Sequence, residues 1–453
     1  MQDPDRGGSP SGGASADLLP AKAGIAPVVA AAFGPAAGAD QEARNAPDTR
    51  PRNKKRRKRR RGRKVFARDG VAIIAATAVH DSGAAPASPA VSAAAIQHNR
   101  IDAPAAPQAR QASSRAYADD LPVFAALDLG TNNCRLLVAV PTRPGQFRVV
   151  DAFSRIVRLG EGLSSSGRLS RPAMDRAVEA LKICADKLRG RAILRSRLIA
   201  TEACRAAENG QEFLDRVKAE TGLDLEIINR ETEARLAVSG CGSLVGHDTD
   251  GVVLFDIGGG SSEIALIDVS GQRSPRLASH IVAWTSLPVG VVSLAERFGG
   301  REVSRASFDA MVADVAGMLE KFEGRDRLDH FVSGRRFHLL GTSGTVTTLA
   351  GVHLGLERYD RRRVDGLWMD NANVDAMIDK LLSWDFQARV ANACIGADRA
   401  DLVLGGCAIL EAIRAVWPSD RLRVADRGLR EGMLSELMGE EGVWRSNWRG
   451  ARR

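Results

Sequence analysis

The amino-acid sequence predicts an α/β protein made of two related domains that follow a low-complexity N-terminal segment. A chain of 453 residues is too long for one hydrophobic core. Strand-like and helix-like segments alternate from residue 121 to residue 440. A hairpin with an Asp-x-Gly turn occurs twice, and its aspartates, Asp128 and Asp256, are 128 residues apart. This spacing is about the length of one domain, so the repeat predicts an internal duplication.

Residues 1–120 are rich in Ala, Pro, Gly and Ser and show no sustained helical or strand period. We predict that they are disordered, because too little apolar surface could be buried to offset the chain entropy. They hold 19 Lys and Arg against 11 Asp and Glu, so most of the net charge of +9 belongs to them. The run 50–64 alone has 12 basic residues, which favours non-specific binding of RNA or another polyanion. A solvated tail without a dedicated partner is the alternative.

Composition excludes several classes of protein. The six cysteines are far apart and form no Cys-x-x-Cys pair, which indicates reduced, mostly buried thiols and neither a zinc site nor a disulfide framework. The N-terminus lacks a signal-peptide pattern, and no apolar stretch is strong enough for a membrane span, so we expect a cytoplasmic protein without a membrane partner. No Gly-x-x-x-x-Gly-Lys-Ser/Thr sequence occurs, which disfavours a Walker-type NTPase.

The first half of the predicted α/β region has the pattern of alternating strands and helices. Its predicted elements are a hairpin at 124–140, a strand at 147–153, a helix at 170–189, a strand at 198–200, a helix at 209–221 and a strand at 225–228. Ser170 is placed to cap the first of these helices. A further helix begins after Asn229 and carries Glu233 in its first turn, a place where α/β folds often put functional groups. The alternative is that Glu231 and Glu233 only complement the helix dipole.

The second hairpin, at 251–268, has a turn of three glycines, Gly258 to Gly260, followed by Ser261. Such a turn lets several backbone N–H groups approach an anion such as phosphate. An acidic residue beside it, Asp256, indicates a divalent cation between the carboxylate and the anion. The turn at 341–348, which follows a buried strand and opens a helix, predicts a second anion site.

The rest of the second half continues the alternation. Its predicted elements are a strand at 281–289, a helix at 304–322, a strand at 337–340, helical structure at 371–396, a helix beginning near 401, a strand at 422–424 and a last helix.

The chain resembles the Ppx/GppA phosphatases (exopolyphosphatase and guanosine pentaphosphate phosphohydrolase) of the sugar kinase, heat-shock chaperone and actin superfamily. The resemblance covers about 121–440 and depends on six motifs in the family's order. They are Ala-Leu-Asp-Leu-Gly-Thr-Asn-Asn (126–133), Ala-Thr-Glu-Ala-Cys-Arg (200–205), Glu-Ala-Arg-Leu (233–236), Phe-Asp-Ile-Gly-Gly-Gly-Ser-Ser-Glu (255–263), Gly-Thr-Ser-Gly-Thr (341–345) and Asp-Arg-Gly-Leu-Arg-Glu-Gly (426–432).

The resemblance implies two ribonuclease-H-like, actin-like α/β domains with a cleft between them. We expect these at 121–236 and 237–440, with a frayed C-terminus at 441–453. Long members of the family carry a C-terminal helical domain with histidine–aspartate motifs, and the chain resembles a short form without it. In the first turn, Asn133, Cys134 and Arg135 replace the more usual Ser-Phe-His-type residues of the family.

The resemblance also implies roles for individual residues. Glu233 would activate the attacking water, and Arg205 would steady the terminal phosphate. Asp256 would hold a magnesium ion, with manganese as the alternative metal, and Asp128 and Glu263 would lie close to it. The expected phosphate-binding residues are Gly130, Thr131, Asn132, Gly258, Gly259, Gly260, Ser261, Gly341, Ser343 and Gly344.

The function expected from these residues is that of a phosphoanhydride hydrolase. The first hypothesis is an exopolyphosphatase that releases terminal orthophosphate from inorganic polyphosphate, and the second is a guanosine pentaphosphate (pppGpp) phosphohydrolase. A different class is a weakly catalytic regulator that binds (p)ppGpp or polyanions. A sugar or acetate-type kinase of the same superfamily is a further hypothesis. Both a monomer and a homodimer are compatible with the sequence.

Overall fold

Two mixed β-sheets form the framework of the computed structural model, which describes residues 121–274 and 276–445. The predicted disordered segment 1–120, its basic run 50–64 and the terminal residues 446–453 lie outside the described residues. The eleven strands of the described part are β1 (Val123–Leu129), β2 (Asn133–Pro141), β3 (Phe147–Ile156), β4 (Ile193–Ala200), β5 (Glu226–Ile227), β6 (Gly251–Ile257), β7 (Ser262–Asp268), β8 (Ile281–Leu287), β9 (Phe337–Thr342), β10 (Trp368–Asp370) and β11 (Arg421–Val424).

The two sheets share one topology. The first has the order β3-β2-β1-β4-β5, in which β1 to β3 are antiparallel and β4 and β5 run parallel to β1. The second has the order β8-β7-β6-β9-β11, with the same directions, and adds β10 antiparallel to β11 at its edge. The expected α/β fold with two related sheets is therefore confirmed, and β6 takes in the second sheet the place that β1 has in the first.

Helices surround both sheets. The α-helices of the described residues are Leu163–Ser166, Arg171–Arg189, Glu202–Ala206, Gly210–Thr221, Arg230–Cys241, Val291–Phe298, Arg305–Leu319, Ser343–His353, Arg361–Val364, Asn371–Ser383, Phe386–Ala391, Val403–Val416 and Leu429–Glu440. Short 3-10 helices occur at Gly242–Leu244 and Leu277–His280. Ser170 caps its helix as predicted, since its side chain accepts a hydrogen bond from Ala173 N.

The central strands are buried on both faces. In β1, Ala125 and Leu127 pack into a core with the helices Arg171–Arg189 and Gly210–Thr221, whereas Phe124 packs into a second core on the opposite face. Because successive side chains of a strand point to opposite faces, a doubly covered strand must be apolar throughout. This explains why β1 and β6 are nearly continuous apolar runs in the sequence.

The last helix, Leu429–Glu440, packs against the first sheet, although the sequence boundary at 236/237 assigned it to the second domain. Met433 and Leu434 of this helix are buried with Phe124 of β1. The helix also crosses Arg230–Cys241 at very short range: a Cβ on Gly240 would lie 2.0 Å from the carbonyl oxygen of Gly428. Glycine at this crossing brings the beginning of the last helix close to the helix that carries Glu233.

The predicted helical structure at 371–396 consists of two helices, Asn371–Ser383 and Phe386–Ala391, and Asp385 caps the second by accepting a hydrogen bond from Ala388 N. The helices Val291–Phe298 and Arg361–Val364 were not predicted from the sequence. The three-residue strand β10 was not predicted, since so short an edge strand has too few residues for a recognisable period.

No helix of the described residues is long and apolar enough to cross a membrane. The six cysteines are free and buried, as expected.

Candidate active site

The turns of the two duplicated hairpins have the same backbone geometry. In the β1–β2 turn, Gly130 N donates to Asn133 O at 2.9 Å, and in the β6–β7 turn, Gly258 N donates to Ser261 O at 2.9 Å. These are the residue pairs that align when Asp128 is placed on Asp256. The two turns are therefore structural copies of each other.

The two turns also touch. A Cβ on Gly259 would lie 3.0 Å from Thr131 Cβ, and a Cβ on Gly260 would lie 2.9 Å from Thr131 Oγ1. Real Cβ atoms rarely come so close to another atom, so glycine at 259 and 260 permits the contact. The contact closes one wall of a cavity between the two sheets.

Backbone amides of the second turn are left available for a ligand. The carbonyls of Gly258 and Gly259 accept hydrogen bonds from Val291 N (3.0 Å) and Val292 N (2.9 Å), at the beginning of the helix Val291–Phe298. Within the part of the chain that the structure describes, the amides of Gly259 and Gly260 have no hydrogen-bond acceptor. Unpaired N–H groups beside a cavity suit an anion such as a phosphate group.

The cavity has a volume of about 460 Å³, which is within the range of small-molecule sites. It brings together most of the residues predicted from the sequence. Those that line it are Asp128, Gly130, Thr131, Asn132, Glu233, Asp256, Gly258, Gly259, Gly260, Ser261, Glu263, Ser343 and Gly344. Glu233 thus shares one cavity with both aspartates of the duplicated turns.

Gly341 and Arg205 do not line the cavity. Gly341 lies inside β9, where a Cβ would come 2.6 Å from the ring of Phe255, so glycine there permits packing behind the site. Arg205 points at two carboxylates, with Nη2 2.5 Å from Glu202 Oε2 and 3.0 Å from Glu233 Oε2. In this arrangement Arg205 orients Glu233.

The carboxylates with raised pKa values that line the cavity are Asp128, Glu233, Asp256, Glu263 and Asp426. Asp128 and Arg135 are cross-strand partners in the first hairpin, and Asp256 and Glu263 are the corresponding partners in the second. Burial raises the pKa of Asp256 to about 6 and that of Glu263 to about 7. Hydrogen bonds to Glu263 Oε1 from Ser261 (2.7 Å) and Ser286 (2.9 Å) oppose this rise. Burying several carboxylates together stores an electrostatic cost that a bound cation would relieve.

Glu233 has the properties of a general base. Burial, and next the charge of Glu263, raise its pKa well above the usual value, while Arg205 opposes the rise. A carboxylate whose pKa is moved towards neutrality accepts a proton more readily than an ordinary one. Its backbone position is also defined, because Asn229 caps the helix by accepting a hydrogen bond from Thr232 N.

Two arginines of the cavity, Arg135 and Arg430, act on the charge of Asp128. Burial raises the pKa of Asp128, and the charges of Arg135 and Arg430 oppose the rise. Neither guanidinium forms an ion pair within the described residues, so both can attract an anionic ligand. Arg430 is the second residue of the last helix. The N-cap of that helix, Gly428, lies close to the second turn, since a Cβ at this position would be 3.8 Å from Asp256 Oδ2. The motif at 426–432 was a signal for Arg430, but its place beside Asp128 depends on the return of the last helix.

Ser343 has a strained backbone. Its φ of +76° is in the left-handed region, which a residue with a side chain rarely adopts. Its side chain lowers the pKa of Asp256 against the larger effect of burial. Strain of this kind is concentrated at functional sites.

The donor set fits the expected magnesium ion. Within residues 121–274 and 276–445, no group of three or more His, Cys, Asp and Glu side chains forms a complete ligand set. Mg²⁺ does not need one, because it usually binds one or two carboxylates and completes its coordination with waters and substrate phosphates. Asp128 and Asp256 provide such carboxylates. The side-chain oxygens of Asn132 and Asn133, which are buried and have no hydrogen-bond partner among the described residues, provide further polar atoms at the same place.

Known proteins share this architecture. The family model described as the Ppx/GppA phosphatase family matches residues 138–441. A crystal structure of the Ppx/GppA family member of Aquifex aeolicus is 26% identical, covers 71% of this chain and 99% of its own, and superimposes with a TM-score of 0.56. A solved exopolyphosphatase-like protein is 28% identical and covers 70% of this chain and 99% of its own, with a TM-score of 0.61.

Among curated proteins, the guanosine-5'-triphosphate,3'-diphosphate pyrophosphatase of Aeromonas salmonicida is 30% identical over 319 residues, which are 70% of this chain. The chain spans about 60% of the length of that relative. The family match covers more than half of the chain and includes the second hairpin, Glu233 and the last helix. The chain belongs to the Ppx/GppA phosphatase family.

Proposed function

We propose that the chain hydrolyses the terminal phosphoanhydride bond of a phosphate chain and releases orthophosphate. The observation that carries this proposal is the position of Glu233: a buried carboxylate with a raised pKa, held by Arg205 at 3.0 Å, beside the cavity where the two glycine turns meet. Phosphoryl transfer depends mainly on positioning and charge neutralisation, and this cavity offers both.

Each part of the site has a task in this proposal. The free amides of the glycine turn, with Arg135 and Arg430, bind phosphate oxygens. Glu233 orients the attacking water and accepts its proton. A magnesium ion, or manganese in its place, would be held by Asp256 and Asp128 and would neutralise charge on the phosphates. Ser343 and Arg205 keep Asp256 and Glu233 in their orientations.

Guanosine pentaphosphate is the substrate that the comparisons favour, because the curated relatives are named for guanosine-5'-triphosphate,3'-diphosphate. Inorganic polyphosphate, the first hypothesis from the sequence, is the second candidate and is supported by the name of the exopolyphosphatase-like structure. Both substrates present terminal phosphates linked by anhydride bonds, so one site can act on either. A regulator that binds without turnover and a kinase that needs an acceptor are the remaining hypotheses.

One experiment tests the proposal and its rivals. Orthophosphate release is measured from guanosine pentaphosphate and from polyphosphate, with wild-type protein and with Glu233→Ala. We expect release by the wild type and a loss of about 100-fold or more in the variant, as for other general bases. Near wild-type turnover in Glu233→Ala contradicts the mechanism. Binding without release indicates a regulator, and ATP consumption that depends on an acceptor indicates a kinase.

A further inference from the structure

A second cleft lies on the other side of Arg205 from the active-site cavity. It is open, has a volume of about 430 Å³ and is lined by Arg205, Asn229, Arg230, Glu231 and Trp284. The guanidinium of Arg205 also binds Glu202 and Glu233, which line the active-site cavity. The cleft and the cavity therefore lie next to each other, with this group of side chains between them.

The indole of Trp284 stands on the same face of the sheet as Glu263. Glu263 pairs with Ser286 across β7 and β8, and the Ser286 hydroxyl donates to Glu263 at 2.9 Å. Trp284 is two residues before Ser286, so its side chain projects from the same face about 7 Å farther along the strand. It is 38% exposed, among the most exposed large apolar side chains of the described residues.

Some polar groups of the cleft already form hydrogen bonds or ion pairs with the protein, and others do not. Asn229 caps a helix, and Arg230 pairs with Glu202 at 2.9 Å while 42% of its side chain stays exposed. Glu231 is exposed and forms no ion pair or hydrogen bond through its side chain within the described part of the chain. The cleft therefore combines a free aromatic face with a free carboxylate, and an arginine lies beside them.

We propose that this cleft is a nucleobase subsite that binds the guanine of guanosine pentaphosphate, an inference that rests on the proposed function. The base stacks on Trp284, and the Glu231 carboxylate accepts hydrogen bonds from the N1–H and N2–H₂ donors of guanine. Arg230 attracts the phosphates next to the ribose. An inorganic phosphate chain has no planar apolar surface, so an exposed indole contributes little to its binding, whereas every base can stack on one.

In this arrangement the base and the 5'-phosphates of the nucleotide lie on opposite sides of Arg205. The base occupies the open cleft, and the 5'-phosphates reach past Arg205 towards Glu233 and the glycine turn. Trp284 belongs to the second sheet, whereas Arg205 and Glu231 belong to segments of the first. A nucleotide bound in this cleft therefore contacts both sheets there. A short inorganic chain stays in the cavity beside Glu233 and does not reach the cleft.

The test compares Trp284→Ala with Trp368→Ala, its matched control. Trp368 is also 38% exposed and lies on β10, at the opposite edge of the same sheet. The KM for guanosine pentaphosphate is measured beside the KM for tripolyphosphate. Trp284→Ala should raise the first roughly tenfold relative to the second, a typical effect of losing one base–aromatic stack. Trp368→Ala should leave the ratio of the two values unchanged.

Glu231→Gln tests the recognition of guanine. GTP should inhibit tripolyphosphate hydrolysis by the wild type more strongly than ATP, and Glu231→Gln should abolish this preference. If Glu231→Gln still prefers GTP to ATP, the role of the Glu231 carboxylate in recognising guanine is overturned. An equal change of both KM values in Trp284→Ala, or no change in either, overturns the subsite.

Calorimetry separates the failure of this inference from that of the proposed function. The ligand is guanosine 5'-diphosphate 3'-diphosphate, the product of the proposed reaction, so its binding requires no turnover. If the wild type releases orthophosphate from neither substrate, the proposed function fails, and the calorimetric result still decides the subsite. A roughly tenfold weaker Kd for Trp284→Ala than for Trp368→Ala supports it, and equal Kd values overturn it.

Discussion

Arg205 Nη2 lies 3.0 Å from Glu233 Oε2, although the two residues are 28 positions apart and come from different helices. The same guanidinium donates to Ile228 O at 2.7 Å, so its orientation is defined by the backbone as well as by carboxylates. The sequence indicated Arg205 as a residue that contacts the terminal phosphate. Its place behind Glu233 indicates a positioning role, which has measurable consequences.

Replacing Arg205 by Ala should lower kcat for tripolyphosphate and move the acid limb of its pH profile upwards. Glu233 must be deprotonated to accept a proton, and the charge of Arg205 lowers its pKa. Without Arg205 the pKa of Glu233 rises further, so we expect the acid limb to move towards higher pH. Arg205→Lys, which keeps the charge, should restore part of both effects. A rise in KM without a pH shift would instead show direct contact with the phosphate.

Gly259→Ala should open the contact between the two turns. The new Cβ would lie 3.0 Å from Thr131 Cβ, so either turn must move. We expect kcat/KM to fall roughly 10-fold to 100-fold, because small displacements of positioning groups are costly in catalysis. Gly317→Ala is the control, since its Cβ meets nothing within 4 Å and lies in a helix, where alanine stabilises by about 0.5–1 kcal/mol. Equal activity of the two variants would contradict the role of the turn contact.

Glu263→Gln should stabilise the metal-free protein at pH 8.5 but not at pH 5. The pKa of Glu263 is about 7 when folded, above its ordinary value of 4.5. The contribution of the protonated Glu263 side chain to stability is therefore fully present below pH 4.5, and it is lost as the pH rises through 7. Gln keeps an acceptor for Ser261 and removes the buried charge, so we expect a gain of about 1–3 kcal/mol at pH 8.5. Urea unfolding in the presence of a chelator measures it. The exposed control Glu212→Gln should show no such pH dependence of the free energy of unfolding. If Glu263→Gln stabilised the protein equally at both pH values, the raised pKa of Glu263 would be contradicted.

Removal of divalent cations should abolish orthophosphate release, and Mg²⁺ should restore it. Asp256→Asn should raise the Mg²⁺ concentration for half-maximal activity at least tenfold, because one of the charges facing the cation is lost. Activity is measured against free Mg²⁺ for the wild type, Asp256→Asn and the exposed control Asp379→Asn. Full turnover in excess chelator would exclude the metal from the reaction.

Deletion of the basic run 50–64 should weaken binding of long polyanions at low salt and leave hydrolysis of tripolyphosphate unchanged. The run has 12 basic residues, and binding through counterion release falls steeply with salt. Affinity for long-chain polyphosphate and for RNA is measured at about 50 and 200 mM salt. If the full chain and the deletion variant bind these polyanions with the same affinity, the run 50–64 does not contribute to binding.

Much of the candidate site could be predicted because its chemistry is local in sequence. Asp128 and Gly130 are two residues apart, as are Asp256 and Gly258, so one short motif determines each turn and the carboxylate beside it. The duplication then predicted that the two turns share a ligand. The place of Glu233 in the first turn of a helix that follows a strand could also be predicted, whereas its catalytic role is implied by the resemblance to the family.

What the sequence by itself determined is thus the two strand–turn–strand units, the helix that presents Glu233 and the α/β class, because hydrophobic period, glycine content and capping residues act over a few positions. Only the tertiary structure decided that Arg205 lies behind Glu233, that Gly341 packs on Phe255, and that Arg430 lies near Asp128, 302 residues away in the chain. It also decided that Trp284 flanks Arg205. These relationships depend on how helices and sheets pack, above all on the glycine crossing that returns the last helix to the first sheet. Packing between distant segments leaves no periodic signal in a single sequence.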